Sequence, residues 1–284
     1  KLDEIFVCDL SSVNISKYDE WKNNPQFIRD IVFFLNGILN EFIDKAKHEL
    51  GFERAVNFAI RHRSIGIGWL GLHTYLQEKS IPFVSMQHKY LTDIIGKKMW
   101  EDGWNASKEF ASIYGEPEVM KGDGYANAQL FAIAPTTSNS LISGGISQGV
   151  EPIIKNVYNQ KSAKGTFIRK NKTLDVLVQT KYKLIKETPE YDNFWDSVLE
   201  NNGSVQHIDW LDDLDKEVFL TFVEINQLEL VKLAVQRQKY IDQAQSINLC
   251  FPNDVSSEWL NRVHYEAWKQ GLKTLYYVRT ESPI

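Results

Sequence analysis

The chain closes on two short apolar strands with a helix between them, and no other segment constrains its fold as strongly. Ser246 to Phe251 reads as a strand, Ser256 to Gln270 as a helix, and Lys273 to Val278 as a second strand. Strand, helix crossover and strand imply parallel pairing with a right-handed connection. Strands and helices alternate upstream as well, so the class is α/β.

Ile5 to Leu10 reads as a buried strand running into a Ser-rich turn at Ser11-Ser12. Asn24 caps a helix with Pro25 at its first position. Phe27, Ile31, Phe34, Ile38 and Phe42 line one face of that helix. A second helix begins near Gly71, and a third spans roughly Gln87 to Tyr114, stopped by Gly115 and Pro117. Residues 128–134 form an apolar strand broken by Pro135, and a loop rich in Thr, Ser, Asn and Gly follows as far as Pro152. Residues 153–212 give short peripheral strands and helices, and a long helix covers about Asp215 to Arg237. No internal repeat, low-complexity tract or linker interrupts the pattern.

A chain of 284 residues has enough apolar sequence for one large domain or two small ones. Its net charge of −5 argues against nucleic acid as a partner. The cluster Lys161, Lys164, Arg169, Lys170 and Lys172 reads better as a solvated hairpin face. No apolar run approaches the ~20 residues that cross a bilayer. The opening Lys1-Leu2-Asp3-Glu4 is not a signal peptide, and the lack of an initiator Met marks processing, trimming or a longer parent. Cys8 and Cys250 are too few for a disulfide framework and fit a reducing cytoplasm. The six histidines, His48, His62, His73, His88, His207 and His264, show no metal-ligand spacing, so no metal site is expected.

Four motifs admit a chemical reading beside a plain one. Gly66-Ile67-Gly68-Trp69-Leu70-Gly71 matches G-x-G-x-x-G, yet no apolar strand precedes it and Trp69 would crowd a pyrophosphate. A glycine-rich turn entering a close-packed helix is the better account. Pro135-Thr136-Thr137-Ser138-Asn139-Ser140 leaves the C-terminal end of a strand, where hydroxyls and N–H groups suit a phosphate. An ordinary capped turn is its alternative, and no Lys follows in a P-loop position. Cys8 is a core cysteine unless a second thiol lies within about 7 Å between Cα atoms, and spacing alone does not single out Cys250. Tyr276 and Tyr277 should point to opposite faces of a regular strand, so a redox role would require a bend that stacks the rings.

These segments also occur together in a known order. Val7-Cys8-Asp9-Leu10-Ser11-Ser12, Arg63-Ser64-Ile65-Gly66-Ile67-Gly68 and Ala134-Pro135-Thr136-Thr137-Ser138-Asn139-Ser140 come first. Gly149-Val150-Glu151-Pro152, Tyr240-Ile241-Asp242-Gln243-Ala244-Gln245-Ser246 and Lys273-Thr274-Leu275-Tyr276-Tyr277 follow. Spread over nearly the whole chain, they resemble the large subunit of class I ribonucleotide reductases. The resemblance implies the second five-stranded half of a ten-stranded α/β barrel, occupying residues 1–284. It also implies reduction of ribonucleoside diphosphates to 2′-deoxyribonucleoside diphosphates for DNA synthesis.

By the same resemblance Cys8 is one member of the redox pair that supplies two electrons and becomes a disulfide. Pro135, Thr136, Thr137, Ser138 and Asn139 would hold the substrate diphosphate. Tyr276 and Tyr277 would relay a radical from a small subunit. The finger loop with the radical cysteine, the partner of Cys8, the allosteric nucleotide regions and the C-terminal cysteine pair have no counterpart here. The resemblance therefore implies one piece of a split or truncated large subunit, active only with its N-terminal complement and a radical-generating small subunit. No cofactor is expected on this portion. A metal-radical cofactor belongs to the small subunit, ATP and dNTP effectors to the N-terminal part, and thioredoxin or glutaredoxin is the reductant. Cytoplasm, or host cytoplasm for a viral chain, is the expected compartment. The rival reading is a non-catalytic phosphate-binding or scaffolding protein on the same half-barrel, with Cys8 and the tyrosines as packing residues.

Overall fold

The computed structural model describes residues 3–162 and 165–280. Lys1, Leu2, Lys164 and Ile284 lie outside the described residues. In chain order the elements begin with β1 (Asp9–Asn14), α1 (Tyr18–Trp21), α2 (Gln26–Ala46), α3 (Glu53–His62) and β2 (Ile65–Leu70). Next come α4 (Leu72–Glu78), α5 (Met86–Tyr114), α6 (Thr137–Ile142) and the strands β3 (Val157–Ser162) and β4 (Gly165–Lys170). The chain continues through α7 (Lys172–Thr180), α8 (Pro189–Glu200), α9 (Asp213–Val218) and α10 (Gln227–Arg237). It closes with β5 (Leu249–Phe251), α11 (Ser257–Lys269) and β6 (Val278–Thr280).

Five parallel segments stand side by side. β1 pairs with β2 from Asp9↔Ile65 to Asn14↔Leu70. Parallel bridges Ile67↔Phe131 and Ile133↔Gln245 then join β2 to the extended stretch around residues 129–133, and that stretch to residues 243–247. The latter run into β5, which pairs in parallel with β6. The closing β5–α11–β6 unit is parallel, as its sequence requires. Its strands differ from those expected: β5 covers Leu249–Phe251 rather than residues 246–251, and β6 lies at Val278–Thr280 rather than residues 273–278. Among the described residues nothing pairs with the outer edges of β1 or β6. Leu10 on β1 is 57% exposed and all of β6 is exposed. Such edges invite a partner strand.

One main core gathers β1, β2, α2, α4, α5, α10 and α11. A second, separate core holds residues from Val157 to Phe219, formed by the β3–β4 hairpin and the helices after it. That is the peripheral region expected for residues 153–212.

Several expectations are corrected. The first ladder starts at Asp9 rather than Ile5, and Ser11-Ser12 lie inside it. Pairing decides this, because the register with β2 places Ser12 against Gly68, where a small hydroxyl fits. Helix α3, not foreseen, occupies residues 53–62. On α2 the buried stripe is Ile28, Val32, Leu35 and Leu39, while Phe34 is 67% exposed. Two apolar stripes one residue apart compete on that helix, and packing against α5 selects between them. Asn24 does accept from the N–H of Gln26 at 3.0 Å, so the capping signal holds.

Ile65–Leu70 is not a turn but a fully buried strand. The turn is Gly71, at φ +79°. The long helix over 215–237 is broken at Phe219–Asn226. There Thr221 and Glu224 form a capping box, and Asn226 accepts from the N–H of Leu228 to start α10. The stretch 135–152 likewise contains a short helix, α6.

Two interior imidazoles make the fold acid-sensitive. His73 Nδ1 accepts the N–H of Ile153 at 2.9 Å, and His88 Nδ1 lies 2.6 Å from the carbonyl of Phe83. Burial lowers both from 6.5 to about 3. Between about pH 6.5 and 3 the unfolded chain therefore takes up protons that the folded chain refuses. Stability falls as pH drops through that window, by up to about 1.4 kcal/mol per pH unit for each imidazole. His88→Asn keeps an N–H donor but cannot titrate. Its urea midpoint should fall less steeply than the parent's from pH 6.5 to 4, and an identical slope would refute the assignment.

Candidate active site

The thiol of Cys8 precedes β1 by one residue. In-register residues share a face, so Cys8, Leu10 and Ser12 stand beside Gly66 and Gly68, opposite the core-facing Ile65, Ile67 and Trp69. Gly66 makes room for the sulfur. A Cβ there would lie 2.4 Å from Leu10 Cδ2 and 3.1 Å from both Cys8 Sγ and Ala132 Cβ. Burial pushes the Cys8 thiol up to about 12, against a hydrogen bond from Gln243 and with added repulsion from Asp9 and Asp242. The group is therefore protonated at neutral pH. Gln243 also donates to the carbonyl of Ile65 at 2.8 Å, and Asp242 accepts the N–H groups of Leu130 and Phe131, each at 2.9 Å.

Cys250 is not its disulfide partner. It lies in β5, and both β2 and the 129–133 stretch stand between the two. Three strand spacings, roughly 14 Å, exceed the disulfide limit of about 7 Å.

Ala132 leads within three residues, roughly 10 Å, to Pro135. Thr136 adopts a left-handed conformation (φ +53°), uncommon for a β-branched residue. Its Oγ1 accepts the N–H of Gly149 at 2.8 Å, which closes the loop on itself. Helix α6 then starts at Thr137, so the N–H groups of Thr137, Ser138 and Asn139 have no intrahelical acceptor. Beside the loop is a cavity of about 660 Å³. Of the predicted loop residues Thr137 lines it and Pro135, Thr136, Ser138 and Asn139 do not; Ser140, Gln148, Lys155, Arg169 and Lys172 are also among its lining residues. No Asp or Glu is among its lining residues, so it suits an anion.

The tyrosines depart from a regular strand. The N–H of Tyr276 donates to Ile247 O at 2.8 Å, and that of Leu249 to Tyr277 O at 2.9 Å. Two residues thus stand opposite Asn248 where a regular parallel ladder has one, which is a bulge. Both rings consequently meet, with centroids 4.1 Å apart and hydroxyls 3.4 Å apart. They are 48% and 58% exposed, and the bond to Tyr277 raises the Tyr276 phenol above its ordinary value.

Among the described residues no group of three His, Cys, Asp or Glu side chains is placed to hold a metal. No helix among them is long and apolar enough to cross a membrane.

The family described as "ribonucleotide reductase, barrel domain" matches residues 1–122 and 117–278. The chain belongs to the ribonucleotide reductase family. It is 41% identical to the ribonucleoside-diphosphate reductase large subunit of Invertebrate iridescent virus 6, over 97% of this chain and 28% of that protein. The corresponding protein of Invertebrate iridescent virus 3 is 39% identical, over 96% of this chain and 43% of its own length. The solved class Id ribonucleotide reductase alpha subunit of Actinobacillus ureae superposes with a TM-score of 0.91 at 42% identity, over 99% of this chain and 51% of that one. The chain thus spans about half or less of each of these relatives.

In this ribonucleotide reductase chain the spacing of Cys8, the loop and the tyrosines gave no hint of Gly66, Gln243 or Asp242 as neighbours of the thiol. Only strand register brings them there. Gly66→Ala should cost about 1–3 kcal/mol through overpacking and move the Cys8 side chain. Alkylation of Cys8 in the folded variant checks this, and an unchanged rate would show that Gly66 does not confine the thiol.

Proposed function

We propose that the chain supplies part of a ribonucleoside-diphosphate reductase active site and works with an N-terminal complement of the large subunit and a radical-generating small subunit. The single observation that carries this reading is the close, tilted contact between the Tyr276 and Tyr277 rings, built on a bulge that simple packing does not require.

Cys8, protonated, and a second cysteine on the complement would together give two electrons and two protons. The ribose 2′-hydroxyl takes up one proton and leaves as water, the carbon gains a hydrogen in its place, and the two sulfurs join as a disulfide. Pro135 to Asn139 would hold the diphosphate against the N–H groups that open α6. Tyr276 and Tyr277 would pass a proton-coupled radical inward. The metal-radical cofactor would reside in the small subunit and the ATP and dNTP effector sites in the complement. Thioredoxin or glutaredoxin would restore the thiols, in a reducing compartment such as the cytoplasm.

The test is reduction of a ribonucleoside diphosphate by the chain mixed with its complement, a radical subunit and a chemical reductant. Turnover in the full mixture alone is the expected result. Co-elution of the parts without turnover would leave the rival, a phosphate-binding scaffold.

A further inference from the structure

We propose that Glu151 is a positioning residue that holds the two tyrosine rings in contact by orienting Asn248. The consequence for catalysis rests on the reductase reading, whereas the geometry belongs to this chain alone.

Glu151 is buried, and two N–H groups converge on its carboxylate. The backbone N–H of Asn248 donates to Oε1 at 2.6 Å and the Asn248 side-chain Nδ2 to Oε2 at 3.0 Å. A carboxylate accepts at both oxygens and donates from neither. The Asn248 amide therefore has one orientation, with its nitrogen toward Glu151 and its oxygen away. That oxygen accepts the N–H of Tyr277 at 3.1 Å. This bond gives Tyr277 an acceptor outside the strand ladder, so two tyrosines can stand opposite Asn248 and both rings reach the same side.

Glu151 is itself tied to the loop proposed to hold the diphosphate. Its N–H donates to Gln148 O at 3.1 Å, and Gly149, two residues before it, is clasped by Thr136. Loop and tyrosines share one anchor. No sequence spacing signals this, because Glu151, Asn248 and Tyr277 lie far apart in the chain.

The test exchanges the polarity of the pair. Glu151→Gln puts an amide N–H against one of the two converging donors, so one of the three hydrogen bonds must break. Asn248→Asp sets a second carboxylate against Glu151. In the double variant E151Q/N248D the introduced amide donates to the introduced carboxylate, which can still accept from Tyr277, and every bond is restored. The readout is ¹⁹F NMR of the full protein labelled with 3-fluorotyrosine, with the two resonances assigned by Tyr276→Phe and Tyr277→Phe.

We expect both resonances to shift from their parental positions in each single variant, as the ring–ring contact is lost, and to return in the double. Unchanged resonances in E151Q, or a double variant no closer to the parent than the singles, would overturn the proposal. Should a single variant fail to fold, the double decides by the same criterion. No step of this test requires turnover, so failure of the reductase assay sinks the proposed function and leaves this result standing.

Discussion

Cys8→Ser is expected to abolish multiple turnover in the assembled enzyme, a loss of roughly a thousandfold or more, equivalent to about 4 kcal/mol in the barrier. Oxygen cannot replace sulfur here, because the electron pair comes from forming an S–S bond. The substitution is otherwise gentle. Serine is smaller than cysteine, and the space beside Gly66 already admits the larger atom. Thermal stability and co-elution with the complement should therefore match the parent. The measurement is deoxyribonucleoside diphosphate formed per chain with excess chemical reductant. If the variant kept a tenth or more of parental turnover, Cys8 would be a packing residue.

Tyr276→Phe should lower turnover by on the order of a hundredfold or more, while substrate affinity and stability stay unchanged. Phenylalanine keeps the ring against Tyr277 and removes the O–H on which proton-coupled transfer depends. The hydroxyl contact of 3.4 Å is the link that disappears. Because the ring is about half exposed, the stability change should stay within about 0.5 kcal/mol. Single-turnover kinetics at saturating diphosphate separate the two effects. A variant with parental rate would make the pair a surface contact and remove the observation on which the proposed function rests.

Sequence by itself determined the α/β class, the closing β–α–β order, the helix over roughly residues 87–114 and the peripheral hairpin region. These depend on local signals: apolar runs bounded by Gly and Pro, and caps such as Asn24 before α2. The family was equally legible, through ordered segments rather than any single motif. Tertiary structure decided what local signals leave open. Ile65–Leu70 looks like a glycine turn because its glycines serve neighbouring strands, not its own backbone. The buried face of α2 could not be chosen while two apolar stripes competed.

The same holds for the candidate site. Cys8, Pro135 to Asn139 and the two tyrosines can be named from the sequence, but not what surrounds them. Gly66 and Gln243 meet Cys8 only through strand register, and Glu151 meets Asn248 only after residues 243–251 join the row of parallel segments. The ring contact of Tyr276 and Tyr277 follows from a bulge, and a bulge is a property of two paired strands. Spacing along one chain reports which side chains are available. Which of them touch is set by long-range backbone pairing.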